Sequence, residues 1–373
     1  MSQRPVRVGI IGVHPDQGWA ATSHIPALRQ LPQFHIEAIS HTQLDIAKAA
    51  AEKFGVPHAM DTSEALVAHP DVDLVVITVR VPQHRQLVTS AIEAGKAVFS
   101  EWPLATDLAQ ARALRDLARE KGIATFIGLQ TRASPVFVHA RNLVKDGYVG
   151  KVLSATVVGS GILWGEEISE RFAYTLDRRN GASMLNVPFA HSIDGLLHVL
   201  DSPVATVTGL LGNARQSIRM AESGMDRELS VPDQIHFSCK LGNGAFINAH
   251  FRGGLSRATN FHVEINGTRG DLIITSPVGY VGIGGMALQG ARGEETLHAL
   301  EIPHECGPDP DAQGPVQTLA IAYARLASDL RTGTQLSPTF DDAVTLHRLI
   351  DAVERSEGVP QPFDGSTDIG RPA

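Results

Sequence analysis

The sequence predicts an α/β fold in two parts, a doubly wound parallel sheet followed by an α+β domain with a mostly antiparallel open sheet. Three observations lead to this prediction. The first third alternates short apolar runs with helical patterns. One of these runs, Val72–Val79, is apolar except at Asp73 and Thr78, as expected of a parallel strand that is covered on both faces. Beyond about residue 150, the runs read as strands joined by hairpin turns such as Leu241-Gly242-Asn243-Gly244.

Strand and helix patterns alternate along the first part. The apolar runs predict strands at Val6–Ile11, Phe34–Ser40, Val72–Val79, Ala97–Ser100 and Thr125–Leu129. The segments between them predict helices at Trp19–Leu31, Leu44–Phe54, Gln83–Ala94 and Asp107–Lys121. The last of these helices has both of its cap residues, Asp107 at its start and Gly122 after its end.

The second part changes from this alternation to hairpins with a few helices. Strands are predicted at Val152–Gly161, Val204–Leu211, Asp233–Leu241, Phe246–Phe251, Phe261–Ile265 and Asp271–Ile274. Helices are predicted at Pro135–Asp146, Ala190–Leu200, Val316–Arg331 and Phe340–Ser356. Residues 164–180, rich in charged and aromatic side chains, are interpreted as a loop over the site. We therefore predict a dinucleotide-binding domain over 1–128 and a domain for substrate binding and oligomerisation over 129–373.

Composition excludes several classes of function. The chain has 373 residues, a net charge of −8 and no basic run, which argues against a nucleic-acid partner. Its two cysteines, Cys239 and Cys306, are too few for a disulfide framework and favour a reducing compartment. There is no apolar run near 18 residues, so we expect no membrane association and a cytoplasmic location. No spacing of His, Cys or acidic residues predicts a metal site.

The turn after the first strand resembles a dinucleotide-binding turn. A G-x-G-x-x-G pattern would place glycines for the tight turn, for the pyrophosphate and for helix packing. Here Gly12 and Gly18 match the first and third glycines, His14 takes the second position, and the loop is one residue longer. The motif therefore favours a cofactor site and a plain strand-to-helix turn about equally.

The second strand ends in Ser40 and His41, where an acid would normally bind the ribose of NAD. Because no carboxylate stands there, the phosphate-bearing ribose of NADP is not repelled. We therefore predict NAD or NADP as the cofactor. Ordinary loop residues are the alternative interpretation of this stretch.

The whole chain resembles the glucose-fructose oxidoreductase/inositol dehydrogenase (Gfo/Idh/MocA) family. The resemblance rests on GIIG…HIPAL, VVITVRVPQHRQLVTSAIEAGKAVFSEWPLA, NGASMLNVPFAHSIDGLLHVL and INGTRGDLIITS followed by PTFDDAVTLHRLIDAVERS. Within the family the chain is most similar to the subgroup of the yeast galactose-regulon repressor, through SEWPLA, FAHSID and the LQ-x-R-x-SP stretch. The resemblance implies a Rossmann domain, bound NAD or NADP, and a homo-dimer or homo-tetramer packed through the second-domain sheet.

The resemblance also implies a set of site residues. Those assigned to the cofactor are Gly12, Val13, His14, Gly18, Trp19, Ser40, His41, Val79, Val81, His84, Glu101, Trp102 and Gln130. Those assigned to the substrate are Trp102, Arg132, Tyr174 and His191. For His84, a structural place at the start of a helix is the favoured alternative, and His191 also has a structural alternative.

Two catalytic positions of the family are changed. The family's enzymes have a lysine in a Glu-Lys-Pro motif and an aspartate four residues before the second-domain histidine. Here these positions are Trp102 and Val187, while His191 is retained. A tryptophan has one N–H donor and no basic nitrogen, so it cannot act as a general base.

Two functions follow from these residues. The first is an NAD(P)-dependent oxidoreductase with a modified active site, acting on a sugar-like or other hydroxyl or keto substrate. His191 is the candidate proton carrier, and a tyrosine, the substrate or water are the alternatives. The second is a non-catalytic NAD(P)-binding regulator that senses a ligand and contacts a protein partner. A two-domain protein with an unused cofactor fold is the third interpretation.

Overall fold

The computed structural model describes residues 4–279, 284–306, 314–359 and 361–363. The chain divides into two compact units, Met1–Leu129 with Pro315–Val344, and Gln130–Gly314 with Thr345–Ala373. The α-helices are, in chain order, α1 (Ile25–Arg29), α2 (Leu44–Lys53), α3 (Ser63–Ala68), α4 (His84–Glu93), α5 (Leu108–Lys121), α6 (Pro135–Lys145), α7 (Ala190–Leu200), α8 (Pro315–Thr332) and α9 (Phe340–Ser356). None of the helices in the described ranges is long and apolar enough to cross a bilayer.

The first unit is built on a parallel sheet. Its strands are β1 (Val6–Ile11), β2 (Phe34–Ser40), β3 (His58–Met60), β4 (Leu74–Ile77), β5 (Ala97–Glu101) and β6 (Thr125–Gly128). They pair in the order β3-β2-β1-β4-β5-β6, so the strand order reverses between β1 and β4. This is the order of the Rossmann fold, which binds dinucleotides at the reversal. The predicted fold class is confirmed.

Some elements of the first unit differ from their sequence patterns. The short strand β3 and helix α3 were not predicted, because three to six residues give little periodicity. Strand β4 covers only the centre of the apolar run that predicted it. The segment predicted as one helix over 19–31 begins as a π-helical turn, Ala20–His24, which runs into α1.

Helix α8 belongs to the first unit, although the predicted boundary placed it in the second domain. Its buried face contributes Leu319, Tyr323 and Leu326 to the hydrophobic core that also contains Phe34 and Phe99. The predicted division between 128 and 129 lies one residue from the division at Leu129. The assignment of the whole segment 129–373 to the second domain is wrong, because residues 315–344 pack with the first sheet.

The second unit is built on a large, mostly antiparallel sheet. Its further strands are β7 (Val152–Ser160), β8 (Glu167–Ile168), β9 (Val204–Gly212), β10 (Ser217–Met220), β11 (Asp226–Glu228), β12 (Gln234–Leu241), β13 (Phe246–Arg252), β14 (Phe261–Gly267), β15 (Gly270–Ser276), β16 (Ala287–Arg292), β17 (His298–Ala299) and β18 (Gln361–Pro362). In the described residues the large sheet has the order β17-β16-β15-β14-β7-β13-β12-β9-β18. Within the described part of this sheet, only β7 and β13 pair in parallel.

One face of this sheet is buried. Along β12 the side chains alternate between buried and exposed, with Ile235, Phe237 and Cys239 on the buried face. Phe189, which immediately precedes α7, contacts the rings of Phe237 and Phe251 at centroid distances of 5.3 and 5.6 Å. These aromatic contacts fix the start of α7 against the sheet, and His191 is the second residue of that helix.

The segment 164–180, predicted as a loop, is partly ordered into short elements. It contains strand β8, which pairs in parallel with β10, and a 3₁₀ helix over Glu170–Leu176. Trp164 is buried, and its Nε1 donates to the Thr175 carbonyl at 3.2 Å. The indole of Trp164 therefore holds this segment together, and the interpretation of the segment as a cover over the site stays a prediction.

Candidate functional site

The turn after β1 contains the predicted cofactor glycine. Gly12 has φ +94°, a backbone conformation that other residues disfavour. A Cβ atom at Gly12 would lie 2.6 Å from Val79 Cγ1, so this turn needs glycine for space as well as for conformation. The N–H groups of Gly12 and Val13 both donate to the Ser40 carbonyl at 3.0 Å. The structure therefore brings Gly12, Val13, Ser40 and Val79 together at the carboxyl ends of β1, β2 and β4.

Gly18, which matches the third glycine of the motif, has a different role from the one that the motif implies. Gly18 has φ +92°, but a Cβ atom there would meet nothing within 4 Å. Gly18 is therefore needed for its conformation and not for close packing of helix on strand. The Nε1 of Trp19 is buried and has no hydrogen-bond partner in the described structure. A buried donor without a partner beside a glycine turn fits a bound dinucleotide, which has many acceptor oxygens.

His14 and His41 lie together at the edge of this turn. Their ring centroids are 6.2 Å apart in an edge-to-face arrangement. Each Nδ1 accepts a hydrogen bond from a backbone N–H two residues later, Asp16 in one case and Gln43 in the other. A neutral ring that accepts at Nδ1 has its proton at Nε2, so each ring presents an Nε2–H donor. These donors suit a ribose hydroxyl or a ribose phosphate.

His84 is a structural residue. Its side chain is buried, its Nδ1 lies 2.8 Å from the Pro103 carbonyl, and its Nε2 lies 3.0 Å from the Val79 carbonyl. The ring therefore ties together the segments that follow β4 and β5. Val81, just before α4, is also buried. Both ring nitrogens of His84 face backbone carbonyls, which favours the structural alternative, and its predicted cofactor contact stays a prediction.

The burial of His84 predicts a pH dependence of stability. Desolvation lowers the pKa of His84, and burial likewise lowers the pKa of His139 and of His250. At a pH below the ordinary histidine pKa of about 6.5, the unfolded chain therefore binds more protons than the folded chain does. The folded state consequently loses stability as the pH falls below that value. We expect a lower urea midpoint at pH 5.5 than at pH 7.5. The loss should be smaller in His84→Asn, which keeps a polar group but cannot titrate.

The control for this measurement is His35→Asn, since the side chain of His35 is 55% exposed. This variant should keep the full loss of stability between pH 7.5 and 5.5. An equal loss in His84→Asn and in the unmodified protein would show that the burial of His84 does not cause the pH dependence.

Glu101 and Trp102 stand at the end of β5. The Oε1 of Glu101 lies 3.1 Å from Nε2 of His24, and the Glu101 side chain is 15% exposed. Trp102 is buried, with 5% of its surface exposed. Its indole is part of the packed interior at the end of the strand. It therefore fills space where the resemblance implies a lysine.

Arg132 is held by an ion pair within the second unit. Its Nε donates to Asp194 Oδ2 at 2.9 Å, and its Nη2 donates to Oδ1 at 2.6 Å. The side chains are 19% and 5% exposed, so the pair is largely removed from solvent. Asp194 thus binds the edge of the guanidinium that carries Nε and Nη2, and the predicted contact of Arg132 with substrate stays a prediction. Both carboxylate oxygens of Asp194, in turn, accept hydrogen bonds from this arginine.

The remaining predicted residues also lie in the second unit. His191 is partly exposed at the start of α7, and Val187 lies in the π-helical turn Leu185–Phe189 immediately before it. Tyr174 is in the 3₁₀ helix that follows β8, and its carbonyl accepts from Asn180 Nδ2 at 2.7 Å. Gln130 begins the 3₁₀ turn that follows Leu129. Their roles in binding remain predictions. Among the residues described here, no three His, Cys, Asp or Glu side chains are placed to hold a metal ion.

One residue near this site had no signal in the sequence. Tyr323, on α8, lies with its hydroxyl 2.7 Å from Nδ1 of His24. It is separated from that histidine by 299 positions in the chain. An aromatic residue in a helical apolar pattern is ordinarily a core residue, so only the packing of α8 on the first sheet reveals the contact.

The fold and the glycine turn define a Rossmann-type NAD-binding protein of two units. Residues 6–129 match the family described as "Oxidoreductase family, NAD-binding Rossmann fold", and residues 135–276 match "Gal80p, C-terminal domain". Each of the two matches covers less than half of the chain, one over the first unit and one over part of the second. The family resemblance found in the sequence motifs is confirmed.

The chain is similar to both regulators and enzymes. It is 26% identical to the galactose/lactose metabolism regulatory protein GAL80 of Saccharomyces cerevisiae, over 94% of this chain and 92% of that protein. A crystal structure of a super-repressor mutant of Gal80p from the same yeast superimposes with a TM-score of 0.87 and 27% identity, covering 96% of this chain and 98% of the other. The dehydrogenase aclE of Aspergillus oryzae is 33% identical, over 54% of this chain and 56% of that protein.

Proposed function

We propose that the chain is an NAD(P)-dependent oxidoreductase with a modified active site, acting on a sugar-like or other hydroxyl or keto substrate. The observation that supports this most is the turn at Gly12, which tolerates no side chain and lies where the strand order of the first sheet reverses. The match of this unit to an NAD-binding oxidoreductase family supports the same assignment.

The residues that would hold the cofactor are those gathered around the turn. Gly12 allows its backbone to approach a pyrophosphate, and the buried Nε1 of Trp19 can donate to an acceptor oxygen. His14 and His41 offer donors at the end of β2, where no carboxylate would repel a phosphate. When bound, the nicotinamide supplies the acceptor or donor of the hydride. We expect both NAD and NADP to bind, which titration calorimetry with each dinucleotide would measure.

His191 is the candidate that moves the proton. Oxidation of a hydroxyl group requires the loss of its proton along with the hydride, and histidine is the side chain best suited to accept a proton near neutral pH. His191 is partly exposed, so a substrate can reach it. The nearest carboxylate on the same helix, Asp194, is paired with Arg132 and orients that arginine instead.

His191→Ala is expected to reduce kcat/KM by about 10²-fold or more, the usual contribution of a general acid or base. A turnover screen over sugars, polyols and ketones, followed by absorbance of the reduced nicotinamide, would measure it. His198→Ala is a matched control, since His198 is also a partly exposed histidine of α7. Unchanged turnover in His191→Ala would overturn the assignment of the proton carrier.

The second candidate function is a non-catalytic NAD(P)-binding regulator. Two observations favour it: the buried Trp102 and the aliphatic Val187 stand where the family's enzymes have a lysine and an aspartate. The full-length similarity to GAL80 supports it as well. Tight dinucleotide binding without turnover of any substrate in the screen would favour this regulator over the enzyme.

Self-association through the open face of the large sheet is part of this proposal. That face includes the exposed apolar side chains of Leu210 on β9 and Phe246 on β13. We expect a homo-dimer or homo-tetramer, and light scattering after gel filtration would measure the mass. Phe246→Glu should shift the protein towards the monomer if this face forms the interface.

A further inference from the structure

A buried line of three polar side chains runs through the first unit to the end of β5. The hydroxyl of Tyr323 lies 2.7 Å from Nδ1 of His24, and Nε2 of His24 lies 3.1 Å from Oε1 of Glu101. Tyr323 and His24 are both fully buried. The family resemblance assigns Glu101 to the cofactor, and the proposed function gives no role to Tyr323 or His24.

The direction of the hydrogen bond between Tyr323 and His24 follows from the chemistry of the two side chains. Burial raises the pKa of Tyr323 well above its usual value, so the phenol keeps its proton and can donate it to Nδ1 of His24. A neutral imidazole that accepts at Nδ1 has its hydrogen at Nε2. That hydrogen lies next to the side chain of Glu101. An ionised carboxylate can accept a hydrogen bond but cannot donate one.

The ring of His24 is confined by aromatic neighbours. The rings of Trp19, Phe99 and Tyr323 surround it edge to face, at centroid distances of 6.4, 5.7 and 5.8 Å. Its Nε2 approaches Glu101 obliquely, at hydrogen-bond distance but without hydrogen-bond alignment. This contact is therefore electrostatic. The N–H of His24 places a partial positive charge beside the Glu101 carboxylate, and this attraction limits the movement of the carboxylate.

Glu101 occupies the half of the sheet where the nicotinamide end of a dinucleotide is expected. The glycine turn and the ribose position belong to β1 and β2, on one side of the reversal in strand order. The other half of a dinucleotide then faces the carboxyl ends of β4, β5 and β6. Glu101 ends β5. The next residue, where the resemblance implies a cationic lysine, is the neutral Trp102.

We propose that Tyr323 and His24 are positioning residues that hold the Glu101 carboxylate at this edge, and that Glu101 makes the site bind oxidised nicotinamide dinucleotide more tightly than the reduced form. This inference rests on the proposed function, because it requires a bound dinucleotide. The oxidised ring has a positive charge that the reduced ring lacks. A carboxylate whose neighbouring lysine is replaced by tryptophan attracts only the oxidised ring.

The test is the ratio of two dissociation constants, Kd for NADH over Kd for NAD⁺, measured by titration calorimetry on the full chain. We expect a ratio of about tenfold or more for the unmodified protein, as a partly screened charge pair can give. Glu101→Gln keeps the shape and removes the charge, so its ratio should fall to within about threefold of unity. Tyr323→Phe should lower the ratio in the same direction, because His24 then loses the donor that orients its tautomer.

Glu37→Gln is the matched control. Glu37 lies on β2 of the same sheet, its side chain is 15% exposed like that of Glu101, and it also contacts histidine, through His35 and His58. Its ratio of dissociation constants should equal that of the unmodified protein. Thermal unfolding of each variant would verify that the fold is retained, and Tyr323→Phe provides the test if Glu101→Gln does not fold.

The possible outcomes separate this inference from the proposed function. If both dinucleotides bind with equal affinity, or if the ratio is the same in Glu101→Gln, the preference for the oxidised form is overturned while dinucleotide binding stands. If neither dinucleotide binds to the unmodified protein, the proposed function fails and this inference fails with it. A high ratio of Kd for NADH over Kd for NAD⁺ in the unmodified protein, which falls in Glu101→Gln and in Tyr323→Phe but not in Glu37→Gln, supports the proposed function and this inference.

Discussion

Arg132→Ala is expected to lower the free energy of unfolding by about 3–5 kcal/mol, because removing one member of a buried ion pair leaves its partner charge uncompensated. That partner is Asp194, whose carboxylate is 5% exposed and receives two hydrogen bonds from the guanidinium. Asp194→Ala should have an effect of similar size. The double replacement Arg132→Met with Asp194→Leu should recover much of the stability, since it leaves neither charge buried.

Urea denaturation would measure these effects, with Arg355→Ala as the control. Arg355 forms an ion pair with Asp351 on the surface of α9, where its side chain is 68% exposed. We expect that variant to lose less than about 1 kcal/mol, as solvent-exposed pairs do. If Arg132→Ala keeps its stability and only raises KM, the guanidinium serves the substrate, as the sequence interpretation held, and the structural assignment is wrong.

Gly12→Ala is expected to weaken dinucleotide binding by at least about tenfold and to lower stability by about 1–3 kcal/mol, the usual range for backbone strain at such a position. The φ of +94° is unfavourable for alanine, and the new Cβ would lie 2.6 Å from Val79 Cγ1. Either the turn or the end of β4 must then move, and both border the site. Fluorescence titration with NADH and thermal unfolding would measure the two effects.

Gly18→Ala is a closely matched control for Gly12→Ala. Its φ of +92° imposes nearly the same backbone strain, but the space around it is open. We therefore expect it to lose stability through strain alone and to bind the dinucleotide more tightly than Gly12→Ala. Equal affinities in the two variants would show that the contact with Val79 is unimportant for the cofactor turn.

Local sequence patterns predicted the elements that are long or that have clear boundaries. The strands Val6–Ile11 and Phe34–Ser40 and the helices Ala190–Leu200 and Phe340–Ser356 have the bounds that their patterns predicted. The cap residue Asp107 accepts from the Gln110 N–H, as a helix start requires. In contrast, β3, β8 and β17 have two or three residues each, so they form through pairing with a neighbour and not through their own periodicity.

The candidate site was predicted less well than the fold. The turn at Gly12 lies at the end of β1, where the glycine motif predicted a turn, and His14 and His41 meet at the edge of that turn. The roles of His84, Arg132 and Trp102 depended on partners that are distant in the chain. Asp194 is 62 positions from Arg132, and Pro103 is 19 positions from His84. Sequence spacing alone does not indicate which polar group will form a hydrogen bond with a buried side-chain nitrogen.

By itself the sequence determined the two-part architecture, the resemblance to the Gfo/Idh/MocA family and the absence of that family's lysine and aspartate at Trp102 and Val187, because periodicity, glycine turns and residue identity are local properties. The tertiary structure alone decided that α8 joins the first unit and that Tyr323, His24 and Glu101 form one buried line. It also decided that Arg132 is bound by Asp194. The physical reason is that burial and pairing depend on which distant surfaces pack together, and packing sets both the partners and the protonation of a polar group.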